Sequence, residues 1–183
     1  MKRTLNIKTI ALIGVMAAII CIMGPFSIPL PFSPVPITLT NLAIYLTIYV
    51  LGMKKGTISF FIYLLLGATG LPVFSGFSGG IGKLLGPTGG YLFGFIFMAL
   101  ICGYFIQKWF QKWYLCLAGF ILGTAVSYLL GSIWLAYQCS MSFQAALMAG
   151  VIPFIPGDLI KIIASLLLGP VLRKALLRAH LIA

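Results

Sequence analysis

The sequence predicts an all-α integral membrane protein, a compact bundle of six transmembrane helices with ordered outer loops. Three observations carry that prediction. The chain is 62% hydrophobic and only 7% charged, where a soluble domain carries roughly a quarter of its residues charged. Its apolar residues come in runs suited to crossing a bilayer, each crossing needing ~20 residues plus a short loop. Its basic residues recur mostly between those runs: twelve Lys and Arg oppose a single acid, Asp158.

The spans fall at about 5–23, 37–51, 57–70, 88–107, 113–137 and 157–177, so that residues 1–183 form a single transmembrane domain. Span one follows the basic start Met1-Lys2-Arg3. Gly24-Pro25-Phe26 offers no small-residue cleavage site, so the segment reads as a retained helix rather than a signal peptide. Asn6 and Lys8 lie in its first turns. Gly14 and Ala18 are four apart, with Ala11 and Ala17 nearby, and small residues let helices approach closely in lipid. That face meets either another helix of this chain or a partner protein.

Five prolines between Pro25 and Pro36 exclude a helix there. Phe26, Ile28, Leu30 and Phe32 keep the segment apolar, so it is expected to be ordered and extended, either a lid over a site or a stiff connector. Span two enters with Thr38, Thr40 and Asn41 and ends at Gly52-Met53-Lys54-Lys55-Gly56. Span three is broken at Ala68-Thr69-Gly70-Leu71-Pro72. Seven glycines follow between Phe74 and Gly90. Gly79 to Lys83 does not fit the phosphate-cradling Gly-x-x-x-x-Gly-Lys-Ser/Thr pattern, so any coupling to ATP must come from another subunit. Span four begins beyond Pro87 and ends at Lys108 and Lys112, among Trp109, Trp113 and Tyr114, as at a headgroup boundary. Span five carries Gly119 and Gly123, four apart. Phe143 to Ile152 is a short helix or the lead-in to span six, and Pro153 and Pro156 re-aim the chain.

With six spans, both termini and the 2–3 and 4–5 loops share one side. Ten of the twelve basic residues fall there: Lys2, Arg3, Lys8, Lys54, Lys55, Lys108, Lys112, Arg173, Lys174 and Arg178. That excess marks the cytoplasmic side and places both termini inside. The scatter of the charges also argues against nucleic acid as a partner. Cys21, Cys102, Cys116 and Cys139 lie in or beside apolar runs with no Cys-x-x-Cys spacing, which supports neither a metal site nor a disulfide framework.

The remaining basic residues are Lys83, in an outer loop, and Lys161, three residues after Asp158 and so on the same helix face. An ionisable pair in a span is a functional-site signal. The proline-rich loop, the glycine-rich loop and Pro153 to Asp158 converge on the pair's outer side. The pair either neutralises itself as a structural feature or binds a polar head that both donates and accepts, such as a cyclic urea or amide. Phe74, Phe77, Tyr91, Phe93 and Phe154 serve either as packing or as walls for an apolar body. His180 stands apart near the end, and one acid without a histidine partner excludes most hydrolytic constellations. A serine–lysine intramembrane enzyme stays open, and no repeat suggests an ion channel.

Gly86-Pro87-Thr88-Gly89-Gly90-Tyr91-Leu92, Pro153-Phe154-Ile155-Pro156-Gly157-Asp158-Leu159-Ile160-Lys161 and Pro34-Val35-Pro36-Ile37-Thr38-Leu39 together resemble the BioY family. These are biotin-specific substrate-capture (S) components of energy-coupling factor (ECF) transporters. The resemblance spans essentially the whole chain. It implies a six-helix protein of the bacterial plasma membrane that binds biotin from outside, without a cofactor and without catalysis. It also implies docking on a transmembrane coupling subunit that carries two ABC-type ATPases. By motif match Asp158 and Lys161 contact biotin, with Tyr91 and the backbone of Thr88, Gly89 and Gly90 as further contributors. The small residues Ala11, Gly14 and Ala18 resemble the family's coupling-subunit face. The family often has glutamine after the Pro-x-Thr-Leu run, where this chain has Thr40 then Asn41; Thr38 and Asn41 carry the expectation of a contact from span two. The ligand's carboxylate is left to either Lys161 or Lys83. An S component for another vitamin, and a chain that transports without the ATPases, are the other readings.

Overall fold

A computed structural model describes residues 7–182; Lys2, Arg3 and Asn6 of the sequence reading, with the start of the first span, lie outside them. In chain order the elements are α1 (Ile7–Met23), strands β1 (Ser27–Leu30) and β2 (Ser33–Thr38), α2 (Thr40–Ala68), α3 (Ile81–Leu85), α4 (Gly89–Trp109), α5 (Trp113–Gln138), α6 (Phe143–Gly150), a 3-10 turn (Ile152–Phe154) and α7 (Ile155–Arg178). Among the described residues α2, α4, α5 and the stretch from α6 through α7 are long and apolar enough to cross a membrane, and α1 is a shorter apolar helix.

α2 is not a rod. Gly52 interrupts it with φ +77° and ψ −179°, and beyond it the chain doubles back. Gly56 packs on Ile48 so tightly that a Cβ there would lie 3.2 Å from the Ile48 Cα. Eight residues of straight helix would set the two ~12 Å apart. Thr40 and Tyr63, from opposite ends of α2, consequently line one cavity. The break frees carbonyls at the end of the first arm. The Tyr49 carbonyl accepts from Arg173 Nη1 at 3.3 Å, and the guanidinium lies 4.8 Å over the Phe110 ring.

The proline-rich segment is extended, as expected, but it forms a two-stranded antiparallel hairpin, so the fold is not purely helical. Ser27 pairs with Thr38, Ile28 with Ile37 and Leu30 with Ser33, with an irregularity around Pro29. Each strand has a single neighbour, which is where proline's missing N–H costs least. Span two accordingly begins as helix only at Thr40, because Ile37 and Thr38 belong to β2.

Glycines set the α4–α5 packing. A Cβ at Gly94 would lie 2.9 Å from the Ser127 Cα, one at Gly119 2.5 Å from the Phe105 Cβ, and one at Gly123 2.7 Å from Cys102 Sγ. Close backbone approach is how helices associate in lipid. The centre of the bundle is filled by fully buried Tyr45, Tyr49, Phe60, Tyr63, Phe74, Met98 and Phe120. α1 turns Ile13, Ala17 and Ile20 inward and leaves Ala11, Gly14 and Ala18 exposed, with open space where a Gly14 Cβ would point. Of the two readings of that face, this chain's own helices do not cover it among the described residues.

Lys55 and Arg173 lie toward one end. Lys55 lies 3.5 Å from Thr9, Met53 packs on Gly103, and Arg173 joins Tyr49 to Phe110. Asp158 is in the first turn of α7, about 22 Å along the helix from Arg173. The acid therefore sits toward the opposite end of the bundle.

Candidate functional site

α7 begins where Pro156 pre-sets the backbone of its first turn. Asp158 lies in that turn, where the positive end of the helix dipole favours a carboxylate. Lys161 follows one turn later, and its Nζ is 2.9 Å from Asp158 Oδ1. Both are buried, where a lone charge is expensive and a pair survives only with good hydrogen bonds. They have them. Asn41 Nδ2 donates to Asp158 Oδ1 at 2.8 Å, and the Tyr128 hydroxyl donates to Oδ2 at 2.6 Å. Lys161 Nζ also donates to the Thr38 carbonyl at 2.7 Å and to Asn41 Oδ1 at 3.1 Å. One cluster thus ties β2, both arms of the charge pair on α7, the start of α2, and α5.

The cluster forms one side of a cavity whose empty space, open mouth included, is about 590 Å³. Val35 and Pro36 of the hairpin line it, with Tyr63, Phe95 and Phe154 as walls and Thr40, Ser75 and Thr88 as further polar groups. The Tyr91 hydroxyl donates to the Gly150 carbonyl at 2.9 Å, so Tyr91 offers the cavity its ring. The Tyr63 hydroxyl is buried beside Thr40 without a hydrogen bond of normal geometry.

Thr38, Asn41, Thr88, Tyr91, Asp158 and Lys161 all line this cavity. Three expected residues do not. A Cβ at Gly89 would lie 1.8 Å from the Leu84 carbonyl oxygen and one at Gly90 2.2 Å from the Trp134 Cβ, so both glycines serve helix packing. Lys83 is on α3, a half-buried side chain whose ammonium is lowered in pKa by desolvation. The expected aromatic walls are also corrected in part. Phe74 is sealed in the core against Tyr63 and Gly67, Phe77 is exposed beside Phe26, and Phe93 faces outward near Trp134. Sequence reasoning missed Tyr63, Phe95 and Tyr128. An apolar run contains many aromatics, and nothing in its pattern singles out the one that meets an acid 30 residues away.

The arrangement can hold a small molecule with an apolar body and a polar head. Among the described residues no group of three His, Cys, Asp or Glu could hold a metal ion.

Comparison with known proteins agrees. Residues 1–178 match the BioY family. The chain is 42% identical over 162 residues to the biotin transporter BioY of Thermotoga maritima, covering 88% of this chain and 93% of that one. It is 36% identical over 183 residues to the biotin transporter BioY of Lactococcus lactis, covering 95% of each. Its fold matches the crystal structure of an S-component for biotin from an ECF-type ABC transporter with a TM-score of 0.86, at 36% identity and 95% coverage of both chains. With the family matched over nearly its whole length, the chain belongs to the BioY family.

Proposed function

We propose that this chain captures biotin as the substrate-specific S component of an ECF-type ABC transporter, and that the cavity over Asp158 is the binding site. The observation that carries this is the chain's only acid, held by three donors at the side of a cavity with apolar walls. Its relatives are transporters and not enzymes. The protein needs no cofactor, and biotin is its cargo.

Biotin pairs a ureido ring, with two N–H donors and a carbonyl, with an apolar body. The carboxylate of Asp158 accepts an N–H, Lys161 supplies compensating charge, and Asn41 keeps a second N–H for the carbonyl. Thr38, Thr88 and Tyr91 border the ligand. Six spans follow if each arm of α2 counts as one crossing, together with α1, α4, α5 and α7. The cation-rich end then faces the cytoplasm with both termini, and the cavity opens outward. The exposed small-residue face at Ala11, Gly14 and Ala18 suits close docking of the transmembrane coupling subunit, which carries two ABC-type ATPases.

Competition among vitamins for the purified chain tests the reading. Unlabelled biotin is expected to displace labelled biotin, while thiamine and riboflavin leave it bound. Preference for either of the other two would assign the cavity to another ligand.

A further inference from the structure

Counting donors and acceptors around Asp158 shows what is left for a ligand. A carboxylate offers about four lone-pair sites. Oδ1 receives Lys161 and Asn41, and Oδ2 receives Tyr128. Lys161 has three N–H donors, and these go to Thr38, Asn41 and Asp158. Asn41 Oδ1 also accepts from the Leu42 N–H. In this cluster one lone pair on Oδ2 and one N–H of Asn41 remain.

Among the described residues, nothing other than Tyr128 donates to Oδ2 of Asp158. Behind Tyr128, an apolar cleft between α5 and α7 is lined by Ile121, Thr124, Ala125, Ile155, Leu159 and Ile162. Apart from Tyr128 and Asp158, which border the cleft too, Thr124 is its polar residue, and its hydroxyl is already engaged by Tyr45 and the Phe120 carbonyl.

We infer that Tyr128 is a specificity-determining residue of this site: by occupying Oδ2 of Asp158 it leaves the carboxylate a single lone pair, which suits the N–H of a neutral cyclic urea and disfavours a two-donor guanidinium. This rests on the reading of the cavity as a biotin site. The neutral ureido edge places one N–H beside one carbonyl, complementary to the free Oδ2 lone pair and the free Asn41 N–H. A guanidinium in the same place presents donors alone. Without the tyrosine hydroxyl, both lone pairs of Oδ2 are free, an acceptor edge that favours the cation. The hydroxyl also fixes the carboxylate plane, so its loss weakens capture of the neutral ligand.

The test compares dissociation constants for biotin and 2-iminobiotin at pH 7, where the guanidine of the latter is protonated, in wild type and Tyr128→Phe. Tyr128→Phe retains the ring and hence the α5–α7 seam. Biotin is expected to weaken at least tenfold and the biotin-to-iminobiotin preference to fall at least fivefold. Equal weakening of both ligands, or no weakening, would overturn the inference by leaving Tyr128 a packing role or none. Tyr128→Gln, which keeps a donor, is expected to stay within threefold of the wild-type preference; a fall there matching that of Tyr128→Phe would also overturn it. Wild-type protein that binds no biotin would instead overturn the assignment of the site.

Discussion

Asp158 is accommodated inside an apolar bundle by Lys161, Asn41 and Tyr128, which all donate to it at the start of a helix. The pair was legible in the sequence because a lone acid three residues from a lysine is conspicuous in a run of Leu and Ile. Asn41 was legible as a polar residue at a span entrance. Tyr128 was not, since one of eight tyrosines carries no mark of its partner on another helix. Nor was the packing role of Gly89 and Gly90 visible, because a glycine that admits Leu84 and Trp134 looks in sequence like one that admits a ligand. The pairing has a thermodynamic consequence. Lys161→Met strands a buried carboxylate and is expected to cost ~3–5 kcal/mol. Adding Asp158→Asn removes the stranded charge and should restore much of the loss. Denaturant unfolding in detergent measures both; a double variant no more stable than Lys161→Met would deny that the two charges compensate each other.

At the scale of elements, the apolar runs fall on helices: α4 begins at Gly89, α5 ends at Gln138 and α7 begins at Ile155, each within a few residues of the end read for spans four, five and six. Two features could not be read. The prolines excluded a helix from Pro25 to Pro36 but said nothing of pairing, which depends on Ser27 and Thr38 meeting across the turn. The reversal inside α2 rests on one residue, Gly52, whose positive φ is the left-handed region that a Cβ disfavours. Gly52→Ala is expected to destabilise the bundle by ~1–2 kcal/mol. It should also bring the new methyl against the Gln107 side-chain amide, where a Cβ would lie 3.0 Å from Nε2. A thermal unfolding midpoint equal to that of wild type would count against the reversal resting on this residue.

For the whole molecule, the proposed orientation in the membrane rests on the separation of charges, which is plain in the sequence. The structure gathers the cations of the α2 reversal, the α4–α5 connection and the end of α7. The site lies toward the other end, beside the hairpin. On the proposed reading, ligand capture at the cavity and partner docking on α1 use different surfaces. Gly14→Trp, on the exposed face of α1, is expected to leave biotin binding by the isolated chain within twofold of wild type and to reduce ATP-driven uptake by the assembled transporter at least tenfold. Full uptake by that variant would move the docking surface elsewhere. Reporters fused to either terminus should read as cytoplasmic.

The central claim is that the chain's one carboxylate recognises biotin, and biotin affinity in purified Asp158→Asn tests it most directly. The substitution keeps the size of the side chain, removes its charge, and replaces an acceptor with a donor. The account predicts a loss of at least ~1.5 kcal/mol, about tenfold or more in the dissociation constant, as expected for a hydrogen bond to a charged group. Wild-type affinity in that variant would contradict it.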